Sequence, residues 1–174
     1  MSFRAELSLD RRGRARRKLS DATLRSVRRL VSRAMRAAGV GERAMALSFS
    51  DDDELLALNR QFADEDHATD VLSFPQAAPL LGDVIISVET AARQAAAAGH
   101  SLTAELVHLS VHGLVHLMGF DHATKAEENV MFGYEARLRA AARKPGPIGR
   151  VRAPKRVAQV PAAKPATARQ QRRA

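Results

Sequence analysis

The segment from Leu102 to Met118 constrains the fold most, because its apolar residues recur at the spacing of an α-helix with little polar interruption. Gly119 follows directly, and glycine readily adopts the positive φ angle at which a helix ends and the chain turns back. A helix this apolar must pack against other elements on most of its sides. The sequence therefore predicts a buried helix that ends at Met118 and reverses direction at Gly119.

The rest of residues 1–142 alternates between strand and helix patterns. Strands are predicted near Phe3–Leu9 and in the runs MALSFS, DVLSFP and GDVIIS. Helices are predicted from Asp21 to Ala38, over DDDELLALNRQF, from Glu89 to Ala98 and from Lys125 to Arg143, the last opening on Thr124 and Glu127 in capping-box spacing. This order predicts the α/β (α+β) class: a single domain in which helices pack on a small mixed sheet, with the strand order left open.

Composition limits the kinds of site that the chain can build. Its 174 residues, 45% of them hydrophobic, suffice for one domain with a core. The chain contains no cysteine, so disulfides, thiolate metal sites and a cysteine nucleophile are excluded. The charged N-terminal segment does not resemble a signal peptide, and no segment has the length of a membrane span. We therefore expect a cytoplasmic protein with no membrane partner.

Positive charge is concentrated at the two ends of the chain. Residues 1–50 hold 13 basic and 4 acidic side chains, residues 51–142 hold 5 basic and 15 acidic ones, and residues 143–174 hold 10 basic and no acidic ones. The segment from Lys144 is also rich in proline and alanine, and a segment of this kind cannot bury a core. We expect a folded domain over residues 1–143 and a basic disordered tail over residues 144–174, suited to a polyanion.

Three of the six histidines lie within HGLVHLMGFDH. His112 and His116 are four residues apart, so they project from one face of the predicted helix. The turn at Gly119 can bring His122 back toward them. Three neutral imidazoles that meet at a helix C-terminus, with a fourth position open, are typical of a catalytic zinc site. The sequence predicts one Zn²⁺ per chain at His112, His116 and His122, where the metal lowers the pKa of a bound water.

The spacing matches the start of the metzincin peptidase signature, but Gly113 stands where those peptidases carry their catalytic glutamate. A zinc peptidase is therefore disfavoured, although another carboxylate could serve as its base. Asp121 is the nearest candidate. We expect Asp121 instead to accept the second N–H of a ligand histidine and so to orient that imidazole.

HGLVHLMGFDH resembles the signature H-G-x-L-H-L-x-G-Y-D-H of the YbeY endoribonucleases, with Val115 in place of Leu and Phe120 in place of Tyr. The similarity extends through HLSVHG, LGDVIIS and TDVLSFP to Met131 and Glu135. The resemblance implies a zinc-dependent endoribonuclease specific for single-stranded RNA. It also implies maturation of the 16S rRNA 3′ end and ribosome quality control, with ribosomal RNA and the small ribosomal subunit as partners and no DNA specificity.

The chain departs from the family pattern before TDVLSFP, where LNRQFADEDHAT places Ala63 at the position of a family arginine. That arginine is a candidate phosphate contact. Arg60 lies one helical turn earlier, and its side chain is predicted to take over the contact. The departure favours an alternative function, a non-catalytic ribosome assembly factor that zinc stabilises. His108 continues the histidine series and is expected to fill a gap in the core.

Overall fold

A computed structural model describes residues 6–63, 65–144 and 148 of the chain. Its elements in chain order are β1 (Leu7–Arg11), α1 (Ala15–Lys18), α2 (Asp21–Ala38), β2 (Ala44–Ser50), α3 (Asp52–Phe62), β3 (Val71–Pro75), β4 (Leu80–Ser87), α4 (Val88–Ala98), α5 (Leu102–Leu117) and α6 (Lys125–Arg143). None of the described helices is long and apolar enough to cross a membrane.

The four strands form one mixed sheet in the order β1-β2-β4-β3. β1 pairs with β2 and β2 pairs with β4 in parallel, whereas β3 lies antiparallel to β4 at one edge. β2 and β4 occupy the centre and carry most of the buried strand residues, among them Leu47, Phe49, Val84 and Ile86. The expected mixed sheet with packed helices is therefore confirmed, and the structure supplies the strand order.

Most of the predicted elements are present with nearly the predicted bounds. α2 and α6 begin and end at the predicted residues, and α6 opens with the expected capping box of Thr124 and Glu127. The strand predicted near Phe3 begins at Leu7 in the described part of the chain. The sequence patterns missed α1, since a helix of four residues has too little length to show periodicity.

α5 is the central helix of the domain. It packs on β3 and β4 and is flanked by α2, α4 and α6. Ten of its sixteen residues are buried, as its apolar sequence predicts. It ends at Leu117, and Gly119 follows with a φ of +92°, so the predicted reversal at this glycine is confirmed.

Gly113 lies where α5 crosses the paired strands β3 and β4. A β-carbon at this position would stand 2.6 and 2.8 Å from the two methyl carbons of Val84 and 3.1 Å from Ser73 Oγ. Ser73 and Val84 are partners in the β3–β4 ladder. A side chain at this position would overlap Val84 unless helix and sheet moved apart, so a glutamate after His112 does not fit this packing.

The basic segment from Lys144 lies outside the described residues, apart from Lys144 itself and Ile148. Lys144 caps the C-terminal end of α6. Ile148 is partly buried and packs against the hydrophobic core. The expected disorder of this segment thus stays a prediction, and core contacts continue at least to Ile148.

Candidate metal centre

The three histidines predicted to bind metal converge at the C-terminal end of α5. One nitrogen from each of His112, His116 and His122 lies within 4.8 Å of the other two. The ring centroids of His112 and His116 are 4.6 Å apart, and the His122 ring lies 5.9 and 5.2 Å from them. The four-residue spacing aligns the first two rings, and the turn at Gly119 returns the third.

The Nε2 atoms of His112 and His116 face each other. These atoms are 3.0 Å apart. Two nitrogens bound tetrahedrally to one zinc ion would lie about 3.3 Å apart, given a Zn–N distance of about 2.0–2.1 Å. The chain thus presents imidazole nitrogens, which are ligands that zinc prefers, at nearly the spacing that the ion requires.

Hydrogen bonds fix the other nitrogen of both rings. His112 Nδ1 donates to Glu135 Oε1 over 2.7 Å, and His116 Nδ1 donates to the Phe120 carbonyl oxygen over 3.0 Å. A ring that donates from Nδ1 in its neutral form keeps the lone pair of Nε2 free to bind a metal. Both rings are therefore held in the tautomer and orientation that a metal site needs.

The carboxylate of Glu135 belongs to α6, 23 residues from His112 in the sequence. Its residue surface is only 2% exposed, and it lies on the apolar face of α6 with Met131 and Leu138. A buried carboxylate requires a compensating partner, and His112 supplies one. In the sequence, Glu135 could be noticed as the one glutamate at a core position of the otherwise apolar face of α6.

The turn after α5 is anchored by Phe120. Its ring is buried and stacks on Tyr134 of α6, with centroids 5.1 Å apart. The Phe120 carbonyl is thereby held within reach of His116. His122 itself is exposed, so this ligand position faces solvent and leaves an approach to the cluster.

The surroundings favour the neutral form of His116. Burial lowers its pKa to about 4, and the neighbouring imidazoles of His112 and His122 act in the same direction. His116 thus stays unprotonated and able to bind a metal at neutral and mildly acid pH.

Asp121 and Arg60 each contact a nearby residue of the chain. Asp121 Oδ1 accepts the backbone N–H of His122 over 2.8 Å, whereas the ring N–H groups of the two α5 histidines go to Glu135 and to a carbonyl. Arg60 forms an ion pair with Asp66 in the acidic loop, and more than half of its side chain is exposed.

Two further polar side chains lie on α5 or against it. His108 does not fill a core gap as expected: 39% of its side chain is exposed and it lines a cleft. Burial lowers its pKa, and the charge of Arg139 lowers it further. Ser73 is half-buried and lies against Gly113 of α5.

A cleft of about 440 Å³ lies beside His112. Its walls come from α4, α5, α6 and the residue that precedes β3, and they include Asp70, Glu105, His108, Phe132, Glu135 and Arg139. The Glu135–His112 hydrogen bond forms part of this wall. The candidate metal centre therefore adjoins a polar cavity of a size that suits a ligand.

Fold and site together define a class of protein: a small mixed α/β domain in which a three-histidine group with an approach from solvent could hold a metal ion. A family model described as Endoribonuclease YbeY matches residues 12–143. The chain belongs to the YbeY family of endoribonucleases.

Curated relatives carry the same name. The chain is 39% identical over 124 residues to Endoribonuclease YbeY of Geobacillus kaustophilus, an alignment that covers 63% of this chain and 80% of the relative. It is 43% identical over 104 residues to Endoribonuclease YbeY of Aquifex aeolicus, covering 57% and 69% respectively. These names indicate a nuclease of the hydrolase class with RNA as its substrate.

A solved structure supports the fold. The solution structure of TM1509 from Thermotoga maritima superposes with a TM-score of 0.53 and covers 78% of this chain and 88% of its own. The two sequences are 22% identical, so this likeness concerns the fold alone.

Proposed function

We propose that the chain is a zinc-dependent endoribonuclease that cleaves single-stranded RNA. The observation that carries the proposal is the paired orientation of His112 and His116, whose Nε2 atoms face each other while Glu135 and Phe120 hold their Nδ1 atoms. His112, His116 and His122 would hold one Zn²⁺. When bound, zinc supplies a Lewis acid that makes water more acidic and offsets charge on the phosphoryl oxygens.

The biological substrate that we propose is ribosomal RNA. Within this proposal the protein matures the 16S 3′ end, contributes to ribosome quality control, and works in the cytoplasm with the small ribosomal subunit. The names of the relatives support cleavage of RNA. The basic ends of the chain favour a polyanionic substrate such as RNA.

Cleavage of a labelled single-stranded RNA by purified protein with one zinc per chain tests the activity. We expect cleavage that a chelator abolishes and added zinc restores. His122→Ala should lower zinc occupancy strongly, because only two protein ligands remain. A zinc-loaded protein that does not cleave RNA would contradict the nuclease proposal and favour the non-catalytic assembly factor.

Arg60 as a phosphate contact is part of the same proposal. Its ion pair with Asp66 must open before the guanidinium can bind a phosphate. Arg60→Ala should then slow RNA cleavage while zinc content and melting temperature stay constant. An unchanged rate would remove Arg60 from the site.

The peptidase alternative has less support. Gly113 occupies the position of the metzincin glutamate, and its contact with Val84 leaves no space for that side chain. Asp121 accepts a backbone N–H, so its carboxylate is already engaged within the turn. Incubation of the zinc-loaded protein with unstructured polypeptide is expected to yield no fragments.

A further inference from the structure

The cleft beside His112 is lined by an arginine, Arg139, that has no anionic partner among the described residues. Each carboxylate in the cleft wall already has a partner: Glu135 with His112, Glu105 with His100, and Asp70 with the Gln94 amide. Arg139 also lines this cleft, yet within residues 6–63, 65–144 and 148 its guanidinium forms no ion pair and no side-chain hydrogen bond.

The Nε atom of Arg139 is fully buried and lacks a hydrogen-bonding partner in the described part of the chain. Gln94 Oε1 is the other buried side-chain atom of this kind there, and Gln94 lines the same cleft. An unpartnered buried polar group destabilises the folded state, and such groups in native proteins require an explanation. Both atoms without a partner thus belong to residues that line the cavity beside the candidate metal centre.

We propose that this cleft is an RNA subsite in which Arg139 binds a phosphate that flanks the scissile linkage and Phe132 supports the adjoining base. The inference rests on the proposed ribonuclease function. A guanidinium offers two parallel N–H donors to phosphate oxygens, which makes arginine a strong phosphate ligand. Arg139 is also one of only five basic residues in the acidic segment 51–142.

Helix geometry places Arg139 at a flanking phosphate rather than at the scissile one. Arg139 follows Glu135 by one helical turn, and Glu135 contacts the Nδ1 side of His112. The metal-facing Nε2 is on the opposite side of that ring. The imidazole of His112 therefore separates Arg139 from the metal position, so this arginine acts on substrate affinity rather than on the reacting atoms.

Phe132 is suited to a nucleobase. It precedes Arg139 by seven residues, so both side chains lie on one face of α6, about 10 Å apart along the helix axis. The residue is 45% exposed although it is large and apolar. Aromatic rings exposed in this way are the platforms on which unpaired bases stack.

The matched pair Arg139→Met and Arg137→Met tests the phosphate contact. Methionine keeps much of the apolar stem and removes the charge, and both variants change net charge equally. Arg137 lies two residues away on α6, where its guanidinium sits 5.8 Å from the Tyr134 ring centroid. Binding of the zinc-loaded full chain to a short 2′-O-methylated single-stranded RNA would be measured by fluorescence anisotropy, alongside cleavage of the unmodified RNA.

We expect Arg139→Met to weaken binding and raise KM about tenfold with kcat nearly constant, while Arg137→Met changes neither. Arg139→Lys should recover part of the affinity, because it restores the charge without the bidentate geometry. Equal losses in the two methionine variants would show a general charge effect and overturn the subsite. Unchanged affinity in Arg139→Met would overturn it as well.

Phe132→Ala and Val130→Ala form a second pair. Both residues are exposed on α6, but Val130 does not line the cleft. We expect Phe132→Ala to weaken binding about fivefold and Val130→Ala to leave it unchanged. Equal behaviour of the two variants would remove the base platform. If the wild-type protein binds the methylated RNA but never cleaves the unmodified one, the nuclease proposal fails. The two pairs of binding constants still test the subsite in that case.

Discussion

At the scale of single residues, the site depends on which atom of each imidazole is engaged. Glu135 accepts a hydrogen bond from Nδ1 of His112, and the Phe120 carbonyl accepts one from Nδ1 of His116. The Nε2 atom of each ring is left free to bind a metal. Asp121 was expected in this role because it adjoins His122 in sequence. For His112 the carboxylate comes from another helix, so a residue distant in the sequence holds this ring, and the role of Asp121 stays a prediction.

Replacing Glu135 by Ala tests this arrangement. We expect zinc affinity to fall about 10- to 100-fold, since His112 loses the acceptor that fixes its tautomer. Competition with a chromophoric zinc chelator measures the change. Glu128→Ala is the control: it removes a half-buried carboxylate of the same helix that pairs with Lys125, and it should bind zinc as the wild type does. Equal affinity in Glu135→Ala and wild type would show that the hydrogen bond is dispensable.

The lowered pKa of His116 makes the stability of the metal-free protein depend on pH. Between pH 6.5 and about 4 the unfolded chain carries a proton on His116 that the folded chain does not. Stability is therefore highest above pH 6.5 and falls as the pH decreases toward 4, by on the order of 2–3 kcal/mol for this group. Urea unfolding of chelator-treated protein across this range measures the slope.

His116→Gln is the matched variant for that titration. It should flatten the decrease in stability between pH 6.5 and 4, with a remaining slope from His108, whose pKa is lowered too. Identical slopes in wild type and His116→Gln would mean that His116 takes up its proton at a similar pH in both states.

At the scale of elements, the contact between α5 and the β3–β4 pair positions the histidines. The helix approaches the sheet closely because Gly113 has no side chain. His112 is the residue before Gly113 and projects about 100° away from it around the helix. If the helix moved away from the sheet here, His112 would shift relative to Glu135 on α6. The packing of Gly113 on Val84 and the His112–Glu135 hydrogen bond therefore depend on each other.

Gly113→Ala should destabilise the fold. The added β-carbon overlaps the Val84 methyl groups, and overpacking of this kind costs about 1–3 kcal/mol, partly offset by the better helix propensity of alanine. Thermal unfolding measures the change. Gly133→Ala on α6 is the control, because no atom lies within 4 Å of its added carbon, and it should stabilise the protein by up to about 1 kcal/mol. A higher melting temperature in Gly113→Ala would contradict the close contact.

At the scale of the whole molecule, charge is divided between an acidic middle segment and basic ends. We propose that the middle carries the chemistry and that the segment after the last helix adds general affinity for RNA. The domain boundary predicted at residue 143 lies at the end of α6. Because Ile148 packs on the core, a truncation that tests the tail alone should keep residues through 149.

Deleting residues 150–174 should weaken binding to RNA of any sequence at low salt and flatten the plot of log affinity against log salt, since fewer counterions are released. Zinc content, melting temperature and turnover at saturating RNA should match those of the full chain. Deletion from residue 145 should additionally lower the melting temperature, because Ile148 is lost. An unchanged salt slope would show that the tail does not contact RNA.

The sequence alone determined most of the elements and the placement of His112 and His116 on one helix face. Helical periodicity, capping residues and the positive φ at Gly119 act over a few neighbouring residues, so a single chain displays them. These local rules predicted the first and last residues of α2 and α6 as they are observed. They also placed two histidines on one face and a third beyond a turn, which specified the candidate centre.

Only the tertiary structure decided the strand order, the Glu135–His112 bond, the pairing of Arg60 with Asp66 and the position of Arg139 in the cleft. Each of these depends on how α6, α5 and the sheet pack, and therefore on contacts between residues far apart in the chain. The periodicity of α6 shows which residues face the core. It does not show which histidine the buried carboxylate will meet there, since packing of whole elements sets that partner.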